Sequence, residues 1–191
     1  MRRMRSLLAL LAFIPVLAFA QGRHDPAAAI AAQAEALKTF AAMDGVWRGP
    51  AWTLLPNGEK RMLVQTERIG AFLGGSVKVI EGRGYETDGR VGFNALGIIS
   101  FNPSSKSYSL RSYALGYAGD FKLEPTADGY AWETPAGPGA TVRYVATIRD
   151  GTLREVGDRI VADRPPQRIF EMELKRIGDS SWPAGDAVPM K

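Results

Sequence analysis

Hydrophobic and polar positions along the chain first follow a helical repeat. Asp25 followed by Pro26 is typical of a helix start, because Asp caps free amide groups and Pro is favoured at the first helical position. Apolar residues then recur every three or four positions, and Asp44 with Gly45 ends the run. The stripe consists of Ile30, Ala34, Leu37 and the pair Phe40 and Ala41. We therefore predict one N-terminal amphipathic helix that packs against the rest of the protein.

After Gly45 the repeat changes to the two-residue alternation of β-strands. Short segments rich in β-branched and aromatic residues are separated by Gly, Pro, Asn and Asp clusters about every eight to twelve residues. The pattern predicts ten strands, over residues 47–55, 60–69, 76–85, 91–101, 107–114, 121–124, 130–134, 141–149, 153–162 and 168–176.

The short connections between these segments determine the predicted architecture. Strands joined by short turns usually pair with their chain neighbours in antiparallel fashion, and no helix-length segment interrupts the series. Closure into a barrel protects the two edge strands that an open meander leaves free. We predict an all-β fold, an up-and-down antiparallel β-barrel of about eight to ten strands with the N-terminal helix capping one end. A two-sheet sandwich is the alternative.

Residues 1–20 have the composition of a signal peptide. The basic stretch MRRMRS precedes the apolar run LLALLAFIPVLAFA, which is short for a membrane span of about 20 apolar residues. Ala18 and Ala20 are small residues where a signal peptidase reads, so we expect cleavage between Ala20 and Gln21. We expect an exported protein, periplasmic or secreted, rather than one held by a membrane anchor. The mature chain divides into an arm and helix over 21–44, the barrel domain over 45–177 and a C-terminal tail over 178–191.

Signal cleavage changes the charge of the protein. The full chain has 24 basic and 20 acidic residues, and loss of Arg2, Arg3 and Arg5 leaves 21 basic residues and a net charge of +1. A nucleic-acid partner would need a basic patch, which the sequence does not indicate. No later segment is apolar enough to span a bilayer, so we expect no stable membrane insertion after cleavage. The absence of Cys excludes thiol chemistry and sulfur-ligated metals.

The stretch GVWRGPAW, from Gly45 to Trp52, leads to a family resemblance. A helical segment, Gly-x-Trp at the start of the first strand and a meander of about ten strands resemble the lipocalin and wider calycin pattern. In that pattern the Trp seals the closed end of the barrel, and a basic residue of the last strand crosses over its ring. The resemblance gives these roles to Trp47 and Arg176, as a structural plug. Arg176 ends the predicted inward row of the final strand, and a solvated strand end is the alternative.

A narrower resemblance rests on turn and packing motifs. Residues 40–47, 66–75 and 97–103, followed by Tyr108, are similar to a family of small secreted bacterial proteins of unknown function. Members of that family have lipocalin-like barrels. The resemblance implies this fold for residues 40–176 and implies no reaction.

The sequence lacks the residues that several classes of enzyme active site and cofactor site require. The only histidine, His24, precedes the helix, whereas haem-carrying barrels of similar shape use a His inside the barrel. A Ser/His/Asp triad and a zinc site also need positioned histidines. The Gly-rich segment 70–75 lacks the Lys-Ser/Thr pair of a phosphate-binding loop. We therefore predict no catalytic residue, no cofactor and no metal site.

The barrel lumen is the remaining candidate site. A barrel of about eight strands has room for side chains or for one small ligand, and binding pockets are mostly apolar with a few placed polar groups. The candidate ligand-binding residues are Trp52, Glu67, Arg111, Tyr113, Trp132 and Arg143. One hypothesis is an amphipathic ligand whose acidic head meets an arginine and whose tail lies against Trp52 and Trp132. The alternative is that the rings fill a solid core and the arginines lie outside.

Three functions fit these features. The first is an exported barrel that binds a small hydrophobic or amphipathic molecule without catalysis. The second is an isomerase-type or cyclase-type enzyme acting on such a ligand, with Glu67 and Arg111 as the pair to test. A carboxyl with a raised pKa within reach of the pocket would favour the enzyme, and an apolar pocket without one would favour the carrier. The third is a protein-interaction module, for which an exposed apolar patch outside the barrel would be the sign.

Overall fold

The computed structural model describes residues 25–182. The predicted signal peptide, its cleavage site and most of the C-terminal tail therefore lie outside the described residues. Helix α1 spans Pro26–Leu37 and continues into a short 3-10 helix, Lys38–Met43. Asp25 caps α1 as predicted, because its carboxylate accepts hydrogen bonds from the amides of Ala27 and Ala28. Among the described residues, no helix is long and apolar enough to cross a bilayer.

Ten antiparallel strands follow the helices and form a closed barrel. Each strand pairs with its chain neighbours, and the first strand also pairs with the last, so the sheet has no free edge. The prediction of an up-and-down barrel is confirmed, and the two-sheet alternative is wrong. The strands are β1 Gly45–Leu54, β2 Lys60–Phe72, β3 Val77–Tyr85, β4 Val91–Asn102, β5 Ser107–Ala114, β6 Tyr117–Thr126, β7 Gly129–Pro135, β8 Ala140–Arg149, β9 Thr152–Val161 and β10 Gln167–Gly178.

Strand β6 is longer than its sequence pattern predicted. The turn before it contains only Leu115 and Gly116, both with positive φ angles of 52° and 81°. Two consecutive left-handed residues form the tight hairpin turn that matches the twist of antiparallel strands. The pairing therefore begins at once with Ala114 opposite Tyr117, and the predicted start at residue 121 was too late.

The two helices cover one end of the barrel. Gln33 donates a hydrogen bond to the carbonyl oxygen of Phe101 over 3.4 Å, and the Tyr108 hydroxyl donates to the carbonyl oxygen of Ala36 over 3.0 Å. The rings of Phe40 and Tyr108 meet edge to face with centroids 5.1 Å apart. Aromatic pairs of this geometry add to the stabilisation from buried area. The helical segment is thus joined to β4 and β5 at this end.

Trp47 is buried at the end of the barrel that the helices cover. Its side chain is 1% exposed and belongs to the same core cluster as Phe40 and Met43. The indole Nε1 donates a hydrogen bond of 2.8 Å to the carbonyl oxygen of Met43. A buried indole N–H needs such an acceptor, so the 3-10 helix supplies the polar partner of the first strand's tryptophan.

Arg176 lies directly opposite Trp47 in the pairing of β1 with β10. Its Nε donates to the carbonyl oxygen of Asp44 over 3.2 Å, and its Nη2 pairs with the Asp179 carboxylate over 2.6 Å. The guanidinium is held by these oxygen atoms beside the start of β1, and it is not stacked on the Trp47 ring. Gly45 makes room for it, because an added Cβ would lie 2.8 Å from Arg176 Nε.

Candidate functional site

The barrel encloses a cavity of about 300 Å³. Its walls are built from every second residue of the strands, because alternate side chains of a strand point to the same face. Most of the wall is aliphatic. The buried aliphatic side chains that line it are Ile69, Ile99, Leu110, Leu123, Leu153 and Met172.

Four aromatic rings form a continuous row, and three of them, Trp132, Tyr144 and Phe170, line the lumen. The rings of Trp132 and Tyr144 are stacked, with centroids 4.4 Å apart and planes 11° from parallel. Phe121 lies 5.2 Å from Trp132, and Phe170 lies 5.9 Å from Tyr144. The row needs Gly157 on β9, because an added Cβ there would lie 2.7 Å from Tyr144 Cε1. The missing side chain at Gly157 thus leaves room on β9 for the rings that β8 and β10 place on either side of it.

Glu67 of β2 brings a carboxyl group into this apolar wall. The residue is 7% exposed, and Gln65 Nε2 donates to its Oε1 over 2.7 Å. Its second oxygen, Oε2, is buried and has no hydrogen-bond partner among the described residues. Burial raises the pKa of Glu67 to about 8, and the nearby charges of Glu155 and Glu81 act in the same direction. The carboxyl is therefore largely protonated at neutral pH.

Glu155 of β9 is a second buried carboxyl in the same cavity. It is 8% exposed, and Trp132 Nε1 donates to its Oε1 over 3.2 Å. Burial raises the pKa of Glu155 to about 7, although hydrogen bonds from Trp132 and Tyr130 oppose the rise. Burial and the charges of the two carboxyls raise the pKa of Tyr130 well above its usual value. Glu67, Tyr130 and Glu155 thus form one interacting polar cluster in the wall.

The cluster shares the lumen with no cation of the described residues, because Arg68 and Arg83, the cations nearest to Glu67, line a groove on the outer face. Among the described residues that line the lumen, none is Lys, Arg or His. The hypothesis of a ligand with an acidic head depended on an arginine that points inward. The lumen instead presents two carboxyl groups, which would repel an anionic head when ionised.

Two of the six predicted ligand-binding residues lie in the lumen, namely Glu67 and Trp132. Arg111 and Tyr113 lie on the outer face of β5, where Arg111 donates to the Tyr113 hydroxyl over 2.7 Å and pairs with Asp120 over 2.5 Å. The residues of that strand that line the cavity are the alternate ones, Leu110, Ser112 and Ala114. The pair of Glu67 with Arg111 is therefore not formed.

The other two predicted residues also lie on the outer face. Arg143 of β8 pairs with Glu133 over 2.7 Å and is partly exposed. Trp52 of β1 follows the buried Ala51, so its ring points outward, and Lys60 Nζ lies 3.6 Å from the ring centroid. The alternative in which the arginines lie outside the barrel is the one that the geometry supports.

The end of the barrel opposite the helices carries exposed apolar side chains. Leu115 lines the cavity and is also 72% exposed, which places the β5–β6 turn at the mouth of the lumen. Tyr117, on the other side of this turn, is 82% exposed. Exposed apolar residues are the feature expected for the protein-interaction alternative, and here they lie next to the entrance of the cavity.

Comparison with known proteins supports the fold. No protein-family model matches the chain, and no curated protein matches it in sequence. The crystal structure of Rv2717c from M. tuberculosis is similar, with a TM-score of 0.57 and 14% sequence identity. The similarity covers 74% of this chain and 97% of that chain. At this identity the likeness shows a shared barrel fold and nothing about function.

Sequence reasoning missed Glu155, although β9 contains a usable signal. Leu153, Glu155 and Gly157 occupy one face of the strand, and all three are buried. A glutamate that shares a strand face with Leu and Gly is a candidate for burial, because charged residues normally share a face with polar ones.

In residues 25–182, no group of three or more His, Cys, Asp or Glu side chains is arranged to hold a metal ion.

Proposed function

We propose that this protein binds a small hydrophobic or amphipathic molecule in the lumen of its barrel and works without a covalent step. The observation that carries the proposal is the cavity of about 300 Å³, whose wall is mostly apolar and holds a few placed polar groups. This combination is typical of ligand-binding pockets, and the volume is at the small end of their range. A small molecule, rather than a large cofactor, matches that size.

A lipocalin-like origin is part of this proposal. The support is the order of elements: a helix, a tryptophan at the start of the first strand and ten antiparallel strands in a closed barrel. Trp47 and Arg176 are opposite each other in the strand pairing at the end that the helices cover, which is where the lipocalin pattern has its tryptophan and basic residue, although here the guanidinium is not stacked on the ring. The proposed location is the periplasm or the cell exterior, for which residues 1–20 are the support.

Native mass spectrometry of the protein, purified gently from a periplasmic extract, tests this proposal. We expect a reproducible extra mass that organic solvent releases and that proves to be an apolar or amphipathic molecule. A matched pair of variants shows where the molecule binds. Ala95→Trp fills the lumen and should remove the extra mass, whereas Ala118→Trp changes the exposed outer face and should retain it. Retention by both variants would contradict binding in the lumen.

Acid–base catalysis on the bound molecule is a second candidate function. Its support is the pair of lumen carboxyls, because the pKa of Glu67 is raised to about 8 and that of Glu155 to about 7. Groups with such values can exchange protons near neutral pH, and they often mark functional sites. An enzyme would convert its ligand and lose that conversion in Glu155→Gln. A carrier would release the ligand chemically unchanged from both the native protein and the variant.

A further inference from the structure

The lumen holds a buried oxygen atom that no residue of the described range 25–182 satisfies. Glu67 Oε1 accepts a hydrogen bond from Gln65, but Oε2 has no partner and is buried. A buried polar atom without a partner costs free energy in the empty protein. That cost is removed if a bound molecule supplies the missing partner, so the Oε2 atom is a natural contact for a ligand.

The lumen-lining groups around Glu67 are neutral or acidic. Inside the cavity Glu67 shares its wall with Gln65 of β2, Tyr130 of β7 and Glu155 of β9, and β1 presents Trp47 opposite it. The cations near Glu67 lie on the outer face of the barrel, where Arg68 and Arg83 are ion-paired with Glu81 and line a surface groove that reaches Glu67. Of the residues within 25–182 that line the lumen, none carries a positive charge. When two carboxyl groups share a low-dielectric cavity that contains no cationic side chain, their negative charge can be balanced by a cationic ligand that enters the cavity.

Aromatic rings lie beside the second carboxyl. The Trp132 indole donates to Glu155 and stacks on Tyr144, and the Tyr130 hydroxyl interacts with the same carboxyl. Because Trp132 presents its N–H edge to the carboxyl and its face to Tyr144, the rings hold Glu155 in place in an apolar setting, and the attraction for a cation comes from the carboxylates. The same wall would repel an anionic head group and gives a neutral head no comparable gain.

We propose that the lumen selects an amphipathic molecule with a basic nitrogen, whose cationic head binds between Glu67 and Glu155 and whose apolar part lies along the aliphatic wall. The inference rests on the proposed binding function and narrows its ligand class. The head donates a hydrogen bond to Glu67 Oε2, and its charge is balanced by the two carboxylates. The aliphatic side chains of Ile99 and Leu110 receive the apolar part.

This assignment fixes the sign of the pH dependence of binding. A cation binds the ionised carboxylate, and the pKa of Glu67 in the free protein is about 8. Affinity for an alkylamine should therefore increase as the pH rises through that value. The amine itself stays protonated in this range, because an alkylammonium resembles a Lys side chain with a pKa of about 10.4. A neutral ligand would lack this increase.

Three probes with the same alkyl chain test the proposal by titration calorimetry on the purified protein at about pH 9, where the Glu67 carboxyl is ionised and an alkylamine is still protonated. They are decylamine, decanol and decanoate, which differ only in having a cationic, neutral or anionic head. We expect decylamine to bind at least about tenfold more tightly than decanoate, with decanol between them. Glu67→Gln keeps the shape of the side chain but removes its charge, so it should weaken decylamine about tenfold and leave decanol unchanged. Glu133→Gln, an outer-face control, should change none of the three.

The outcomes separate this inference from the binding function on which it rests. Equal or tighter binding of decanol or decanoate would overturn the basic head and leave the lumen function intact. Failure of all three probes to bind would contradict the lumen function as well. The comparison of head groups needs only the native protein, so it decides the question even if Glu67→Gln does not fold. Glu155→Gln is the second variant and should also reduce the preference for decylamine.

Discussion

The carboxyl group of Glu67 lies directly over the α-carbon of Gly82 on the neighbouring strand. An added Cβ at Gly82 would be 2.8 Å from Glu67 Oε1 and 3.2 Å from Gln65 Nε2. The absence of a side chain on β3 therefore allows the carboxyl and amide of β2 to lie flat against the wall. Space for the polar cluster is thus supplied by one glycine.

Replacing this glycine should disturb the cluster. We expect Gly82→Ala to destabilise the protein by about 1–3 kcal/mol, because the new methyl group forces Glu67 and Gln65 from their positions. Urea unfolding measures the change. Gly178→Ala is the control, since no atom of the described residues lies within 4 Å of a Cβ added there. Equal stability of Gly82→Ala and the native protein would mean that the carboxyl does not occupy this position.

The buried indole at the closed end makes a second prediction. Trp47→Ala should reduce the free energy of unfolding by about 3–5 kcal/mol, as expected for a large aromatic residue in a packed core. Trp47→Phe keeps most of the packing but loses the bond to the Met43 carbonyl, so it should cost less. Trp52→Ala serves as the outer-face comparison. A loss below about 0.5 kcal/mol in Trp47→Ala would place this residue at the surface.

Because Lys78 is buried and Asp44 is not, we expect two substitutions in this ion pair to reduce the free energy of unfolding by different amounts. Its side chain is 3% exposed and forms an ion pair with the Asp44 carboxylate, which is more exposed. Asp44→Ala leaves a buried charge without a partner and should cost about 3–5 kcal/mol. Lys78→Met removes the buried charge and fills its volume, so it should cost clearly less. Chemical denaturation of both variants measures the two losses, and a larger loss for Lys78→Met would contradict this view of the pair.

The two lumen carboxyls predict how stability depends on pH. Their pKa values in the folded protein, about 8 for Glu67 and about 7 for Glu155, are raised from 4.5. The folded state therefore holds protons that the unfolded state releases, and stability must fall as the pH rises. The contribution is fully present below about pH 4.5 and is lost as the pH rises through the folded values.

A substitution isolates this contribution from that of the other acidic residues. Urea unfolding of the native protein and of Glu67→Gln should be compared at about pH 5 and about pH 8.5, on either side of the change. The native protein should lose more stability than the variant between these conditions. Glu133→Gln, on the outer face, should behave like the native protein. A variant that loses as much stability as the native protein would show that Glu67 titrates normally.

The sequence was sufficient to predict the strand order and the closure of the barrel. Turn signals separated the ten segments, and short turns between antiparallel neighbours left closure as the way to protect both edges. The start of β6 was missed because Tyr117, Ala118 and Gly119 follow a two-residue turn and are exposed or half-buried. Their side chains do not alternate in polarity, so the pattern gave no indication of a strand.

The residues inside the lumen were harder to predict than the fold. On β5 the inward face carries Leu110, Ser112 and Ala114, whereas the outward face carries Arg111 and Tyr113. The prediction relied on large side chains with polar or aromatic groups, which on this strand face outward. The cavity is lined instead by the smaller side chains of the same strand. The grouping of Glu67 with Glu155 depends on closure of the whole barrel, because their strands are far apart in the sequence.

Binding of an apolar fluorescent probe is the measurement that tests lumen binding most directly. N-phenylnaphthylamine should bind the native protein and Ala118→Trp with equal affinity, and its emission should increase in the apolar cavity. Ala95→Trp should weaken binding at least about tenfold, because the indole fills the space that the probe needs. Binding to Ala95→Trp as tight as to the native protein would place the probe outside the barrel and contradict the proposed function.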